Sequence, residues 1–205
     1  LEPGVIRLEG DRLVIGRLYF RSGDGTGDIT GGASVAGFRL QDVQLTLQAV
    51  NLLAIRRAGS WAVANGRATL TGSWPNFTVA GRLTVSPGQF RVGFFRGERN
   101  PEIIILPRVC RLPDPRTAAT GAAAVVRNFT MNLDVDIPGA VWLRDKDVNL
   151  EMIGQINVRR RPPGPKYLGG WVKAKEGVFA INNKTFGIDK AMLIFPGEPN
   201  KPMRV

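Results

Sequence analysis

Histidine is absent from the 205 residues, and cysteine occurs once, at Cys110. The first absence removes the commonest general base and the commonest metal ligand, so most hydrolase and zinc-site chemistries have no residue to use. A single cysteine makes no internal disulfide, and the redox compartment is unreadable from it. Arg108 and Arg111 beside it would favour a thiolate, although a buried or incidental thiol is the plainer reading. Long apolar runs are missing too: nothing approaches the roughly 18 residues of a membrane-spanning helix. No basic, apolar, then small-residue leader opens the chain, which starts at Leu1 and not at Met. Met203-Arg204-Val205 reads as an interrupted strand. The expectation is a fragment of a longer protein, with any anchor or address lying outside it.

Acidic residues are scarce, 17 against 28 lysines and arginines, for a net charge of +11. Such a balance suits nucleic acid, an anionic membrane surface or phosphate-bearing ligands. Apart from Arg56-Arg57 and Arg159 to Arg161 the charges are dispersed, which is the pattern of a solvated face. A nucleic-acid binder needs a basic stripe with interleaved aromatics, and only Arg159 to Arg161 hints at one. No nucleic-acid partner is expected.

What is abundant is punctuation. The 25 glycines and 14 prolines fall between short apolar runs, as in a chain of many turns. Phe129, Met131, Leu133, Val135 and Ile137 alternate with Thr130, Asn132, Asp134 and Asp136, a strand with one dry and one wet face. Val148, Leu150, Met152, Ile156 and Val158 repeat this grammar, as do Val43, Leu45 and Leu47. Val5 to Phe20 reads as short strands around turn glycines Gly10 and Gly16, and Ala68 to Val85 as five-residue strands broken at Gly72 and Gly81. Residues 21–33 read as a glycine-rich turn, since Asp24 and Asp28 lack the ligand spacing of a calcium loop. Leu52 to Ala64 fits neither period, and a brief helix there stays open.

One motif occurs twice. Gly81 to Val92 aligns without a gap on Gly170 to Ile181, both reading Gly, x, apolar, x, small apolar, then Gly, x, Phe, x, apolar. Each predicts a hairpin turning at Gly88 or Gly177, with Phe90 or Phe179 capping the apolar face. Between the copies, residues 93–127 break the rhythm with Pro101, Pro107, Pro113 and Pro115, and predict a loop or insertion with a short helix at Ala118 to Val126. Arg161-Pro162-Pro163-Gly164-Pro165 is the second break. The fold class is all-β, one continuous domain with an N-terminal part over 1–127 and a second part over 128–205.

From Phe129 the order of parts resembles the conserved C-terminal region of the TamB family. Those parts are the alternating strand, Pro138 to Arg144, Val148 to Val158, Tyr167-Leu168-Gly169-Gly170, Gly177-Val178-Phe179, Phe186-Gly187-Ile188, and Ala191 to Gly197 with Pro202 following. Ala191 stands where the family usually has glycine, which leaves the local turn geometry in doubt. The resemblance implies an elongated, curved β-sheet trough with an apolar lining, in a periplasmic portion of an inner-membrane-anchored cell-envelope protein. It implies kinship with AsmA-like and bridge-type lipid transfer proteins, hence phospholipid transport between inner and outer membrane. An older role for the family, assistance to outer-membrane protein assembly beside an Omp85-type barrel, is the alternative. No enzyme activity, cofactor or metal is implied.

The residues themselves suit such a trough. Exposing acyl methylenes to water costs about 0.8 kcal/mol each, so a chain of ~15 carbons meets a gross barrier on the order of 12 kcal/mol in an aqueous gap. Candidate lining residues are Leu45, Leu83, Val85, Phe129, Met131, Leu133, Val135, Leu150, Met152, Val172, Phe179 and Ile188. The same side chains could instead meet each other in a closed sandwich core, and pattern alone leaves that open. Asp134 and Asp136 share a strand face about 7 Å apart. With Asp145, Asp147 and Glu151 they read as a solvated face and not as a catalytic pair or metal cluster. Trp142 and Arg144 suit an edge or interface, or ordinary packing.

Overall fold

The computed structural model describes residues 4–37, 39–91, 128–181, 184–188 and 190–198. The insertion expected at 93–127, with the helix at Ala118 to Val126 and with Cys110, lies outside the described residues, as do Pro202 and the strand fragment at 203–205. Every described element is a strand: β1 (Ile6–Glu9), β2 (Arg12–Ser22), β3 (Gly25–Ala36), β4 (Arg39–Arg57), β5 (Ser60–Ser73), β6 (Asn76–Phe90), β7 (Thr130–Asp145), β8 (Val148–Arg160), β9 (Lys166–Ile181), β10 (Lys184–Gly187) and β11 (Ala191–Pro196). They form a single sheet in chain order from β1 to β10, with β11 also pairing β9. The sheet stays open, because β1 ends it on one side and β10 and β11 end it on the other.

Neighbouring strands are antiparallel except β6 and β7, which run parallel. A parallel pair needs a long crossover connection, whereas a hairpin needs only a few residues. The one long break in the strand pattern falls between these two strands, so topology accounts for its length.

Several expected turns are not turns. β2 to β9 run 11 to 19 residues each, not five or so. The brief helix left open at 52–64 is instead the hairpin of β4 and β5, turning at Ala58-Gly59. Gly16 lies inside β2, most of the glycine-rich 21–33 lies in β3, and Pro138-Gly139-Ala140 sits within β7. Neither Gly88 nor Gly177 turns a hairpin; the first copy runs along β6 as far as Phe90 and the second along β9. The physical reason is that glycine inside a strand lets backbones approach where a side chain would not fit. At Gly177, with φ +150°, a Cβ would run into the carbonyl oxygen of Asn149 on β8. Ala191, expected at a turn, opens β11 opposite Ala174.

Register shifts cross the sheet in line. They fall between Ala62 and Ala64 on β5, Thr84 and Gly88 on β6, Ile137 and Val141 on β7, and Glu151 and Met152 on β8. Each bulge bends its strand and strengthens the twist. Stacked on adjacent strands, they form a transverse corner. On β7 the corner is Pro138-Gly139-Ala140, where Ala140 takes φ +55° and Ser86 Oγ donates to Gly139 O at 2.9 Å.

The core is thin. Half of the buried apolar residues described are alanines: Ala33, Ala49, Ala62, Ala64 and Ala174. Larger ones form two patches, Phe90, Ile137 and Val141 with Ala62, and Val43 and Phe77 with Ala33. Among the described residues Val141 is the largest fully buried side chain. All the described strands belong to this one sheet, so no second sheet packs on its apolar face among the described residues.

Candidate functional site

Directly paired residues in a sheet share a face, so the register states which side chains line up. One unbroken row runs Phe20, Gly27, Ala49, Gly66, Leu83, Val135, Ile156, Gly170 and Phe195. The next is Leu18, Ile29, Leu47, Ala68, Gly81, Leu133, Val158 and Leu168. Beyond the corner, Ile55, Ala62, Gly88, Val141, Met152, Ala174 and Ala191 form another. Each row is apolar or glycine throughout. Together they make one continuous oily face from the β2 side to β11.

Ten of the twelve expected lining residues stand in strands, and their pairings align them with these rows. Leu45 pairs Leu70, Leu83 pairs Val135, and Leu133 pairs Val158. Met131 lies opposite Val79, Val85 opposite Ala64, and Val172 between Gly154 and Leu193. Met152 pairs Val141, Leu150 pairs Leu143, and Phe179 lies between Val148 and Phe186. Phe129 packs against the Val43 and Phe77 patch, and Ile188 donates its backbone N–H to Gly177 O at 3.0 Å. All twelve are half-buried, none closed over and none fully exposed. A hollow of about 200 Å³ bordered by Ile29, Leu45, Leu47, Leu70 and Val79 lies on the same face.

The opposite face is wet. Its longest row is Tyr19, Asp28, Gln48, Arg67, Arg82, Asp134, Asn157 and Gly169. Beside it run Thr84, Asp136, Gln155 and Trp171. Asp134 and Asp136 therefore do share a face, and the amide of Asn157 donates to Asp134 Oδ1. These two rows border a hollow of about 640 Å³.

Glu151 corrects the expectation of a solvated carboxylate. It is 6% exposed and sits at the corner. Its Oε1 accepts from the Ala140 N–H at 2.8 Å, and its Oε2 from Lys175 Nζ at 3.1 Å. The Ala140 N–H, then the Lys175 ammonium, hold the carboxyl below its ordinary range, against the opposing effect of burial. No spacing rule marked Glu151 beforehand, because its partner amide is exposed only by the β7 bulge. Nearby, the Arg144 guanidinium lies 4.9 Å from the Trp142 ring centroid and donates to Asn149 Oδ1 and Gln89 Oε1. Trp142 is thus held within the wet face beside its own neighbours.

No group of three or more metal-ligating side chains gathers among the described residues, and no helix there is long and apolar enough to cross a membrane. A family profile described as TamB C-terminal domain matches residues 16–203. Neither a curated protein nor a solved structure matches the chain.

Proposed function

The chain belongs to the TamB family, matching its C-terminal domain over nearly its whole length, and from that premise we propose that it forms a section of a hydrophobic conduit for phospholipid. The family is a translocation and assembly module of the cell envelope and not a known enzyme family. In our reading this part lies in the periplasm, tethered through an anchor outside the segment, and carries lipid between inner and outer membrane. One observation supports the reading most: ten aliphatic, aromatic and thioether side chains of the expected lining share one face of an open sheet by register and all remain half-buried. An acyl chain laid across such rows replaces water over the oily surface, at about 25 cal/mol per Å² of apolar area covered. The headgroup stays in water beyond the strand ends. The lining has no nucleophile or acid–base pair, which suits sliding rather than chemistry.

The deciding experiment places photo-crosslinking residues at Leu133 and Leu150 in cells. Covalent capture of phospholipid at both positions is expected. Capture of protein alone would overturn the conduit and favour a second reading, in which the module assists an Omp85-type barrel by strand addition. A specific feature supports that alternative: β11 is an edge strand, with Met192 and Ile194 each 43% exposed on one face and Leu193 and Phe195 on the other. An unprotected edge with apolar side chains on both faces is a template for another strand.

A further inference from the structure

The hollow of about 640 Å³ is bordered by the two wet rows, with Val135, Ile156 and Gly170 of the oily row completing its lining. It spans β6 to β9. Trp171 supplies a half-buried indole at one side. Gln155 and Asp136 follow it in the same cross-strand row, and Asn157, Asp134 and Arg82 make the parallel row. The Asn157 amide donates to one oxygen of Asp134 and to Asn132 Oδ1. Arg82, Asp136 and Gln155 make no side-chain hydrogen bond or ion pair among the described residues.

This inventory narrows the ligand. Two carboxylates against one guanidinium leave the hollow net negative, which disfavours phosphates and other polyanions. The indole, Val135, Ile156 and Gly170 share the lining with Arg82, Thr84, Asp134, Asp136, Gln155 and Asn157, so a ligand here meets polar and apolar surface together. An acceptor-only carboxylate pair, a donor-only guanidinium and an amide that does both match a ring of hydroxyls, each of which donates and accepts. The indole matches the C–H face that a sugar ring presents between its hydroxyls. The volume lies within the usual range of small-ligand sites, about 300–1,000 Å³, and admits more than one ring.

We propose that this hollow is a binding site for an uncharged saccharide, stacked on Trp171 and hydrogen-bonded by Asp134, Asp136, Arg82 and Gln155. Trp171, Asp134, Asp136, Arg82 and Gln155 stand in the wet rows and not in the conduit rows, so neither proposal depends on the other. The test is calorimetric titration of the intact protein with cellotetraose, maltotetraose and chitotetraose, with inorganic phosphate as a control. At least one tetrasaccharide is expected to bind with a Kd on the order of 1 mM or tighter, and phosphate not to bind. Trp171→Ala and Asp136→Ala should each weaken that binding about tenfold or more, while Leu133→Arg on the other face leaves it unchanged. Absence of binding by all three sugars overturns the site. So does full affinity in Asp136→Ala, the variant that decides the matter if Trp171→Ala loses its β-sheet circular dichroism.

Discussion

The backbone N–H of Ala140 donates to Oε1 of Glu151 at 2.8 Å. That bond joins the bulge of β7 to the one buried carboxylate described, on the adjacent strand β8. A bulge lifts an amide out of its ladder, and an amide without a partner is costly in a half-buried place. Glu151 supplies the partner, and Lys175 on β9 balances its charge at 3.1 Å. The corner is thus held by three strands at once.

Glu151→Ala removes both acceptors and should lower stability by about 1–3 kcal/mol, measured as a shift in the urea unfolding midpoint. Glu151→Gln keeps a carbonyl acceptor for Ala140 and should cost less. A smaller loss from Ala than from Gln would refute this account of the corner.

A pH series tests the same bond. Glu151 is held below its ordinary value of 4.5, so the folded state binds this proton more weakly than the unfolded state. Its contribution is fully present above that ordinary value and is lost as pH falls through the lowered value. Urea midpoints of the native protein and of Glu151→Gln should therefore converge on acidification below pH 4.5. A gap that stays constant across that window would contradict the assignment.

Leu133 and Val141 lie on the same strand face but should respond differently to charge. Leu133 is half-buried, whereas Val141 is 0% exposed. Leu133→Arg can snorkel its head to water and should leave the circular dichroism of the sheet intact while abolishing lipid capture. Val141→Asp places an unpaired charge where water does not reach and should unfold the corner. Unfolding by Leu133→Arg would mean that the oily face is closed over.

Gly177→Ala should be far more damaging than an exposed-strand substitution. The backbone there sits at φ +150°, and the added carbon meets Asn149 O and Leu150 Cα on β8. We expect a loss of about 1–3 kcal/mol from backbone strain and loosening of the β8–β9 pairing. Faster hydrogen exchange of the Asn149 to Glu151 amides is the readout. Unchanged exchange would show that the strand adapts at no cost.

The two functional readings separate at the sheet edge. Met192→Lys with Ile194→Lys charges the exposed face of β11 without touching the lining. Lipid capture at Leu133 and Leu150 should persist in this variant, and only co-purification of a barrel partner should fall. Loss of lipid capture together with the partner would place β11 within the conduit itself.

The strand at Phe129 to Ile137 was legible because a two-residue period survives any neighbour: Asp134 and Asp136 cannot share a face with Leu133 and Val135. Arg161 to Pro165 was legible as a turn because prolines withhold amides from a ladder. Gly16, Gly72, Gly88 and Gly177 misled for the converse reason. Glycine is equally at home in a turn and at a close approach between strands, and only the neighbouring backbone tells the two apart. The same holds for Pro138-Gly139-Ala140, a turn by composition and a bulge by its pairing with β8.

Alternation along each strand, by itself, determined that this chain makes β-sheet with one oily face, since side-chain direction is a local property of the backbone. Whether that face would be covered was decided only in three dimensions. Closure depends on how far each bulge turns its strand and on whether the first strand meets the last, and both are sums over the whole sheet that no single stretch encodes. Here β1 and β11 remain apart and Leu133, Val135 and Leu150 keep part of their surface in contact with solvent.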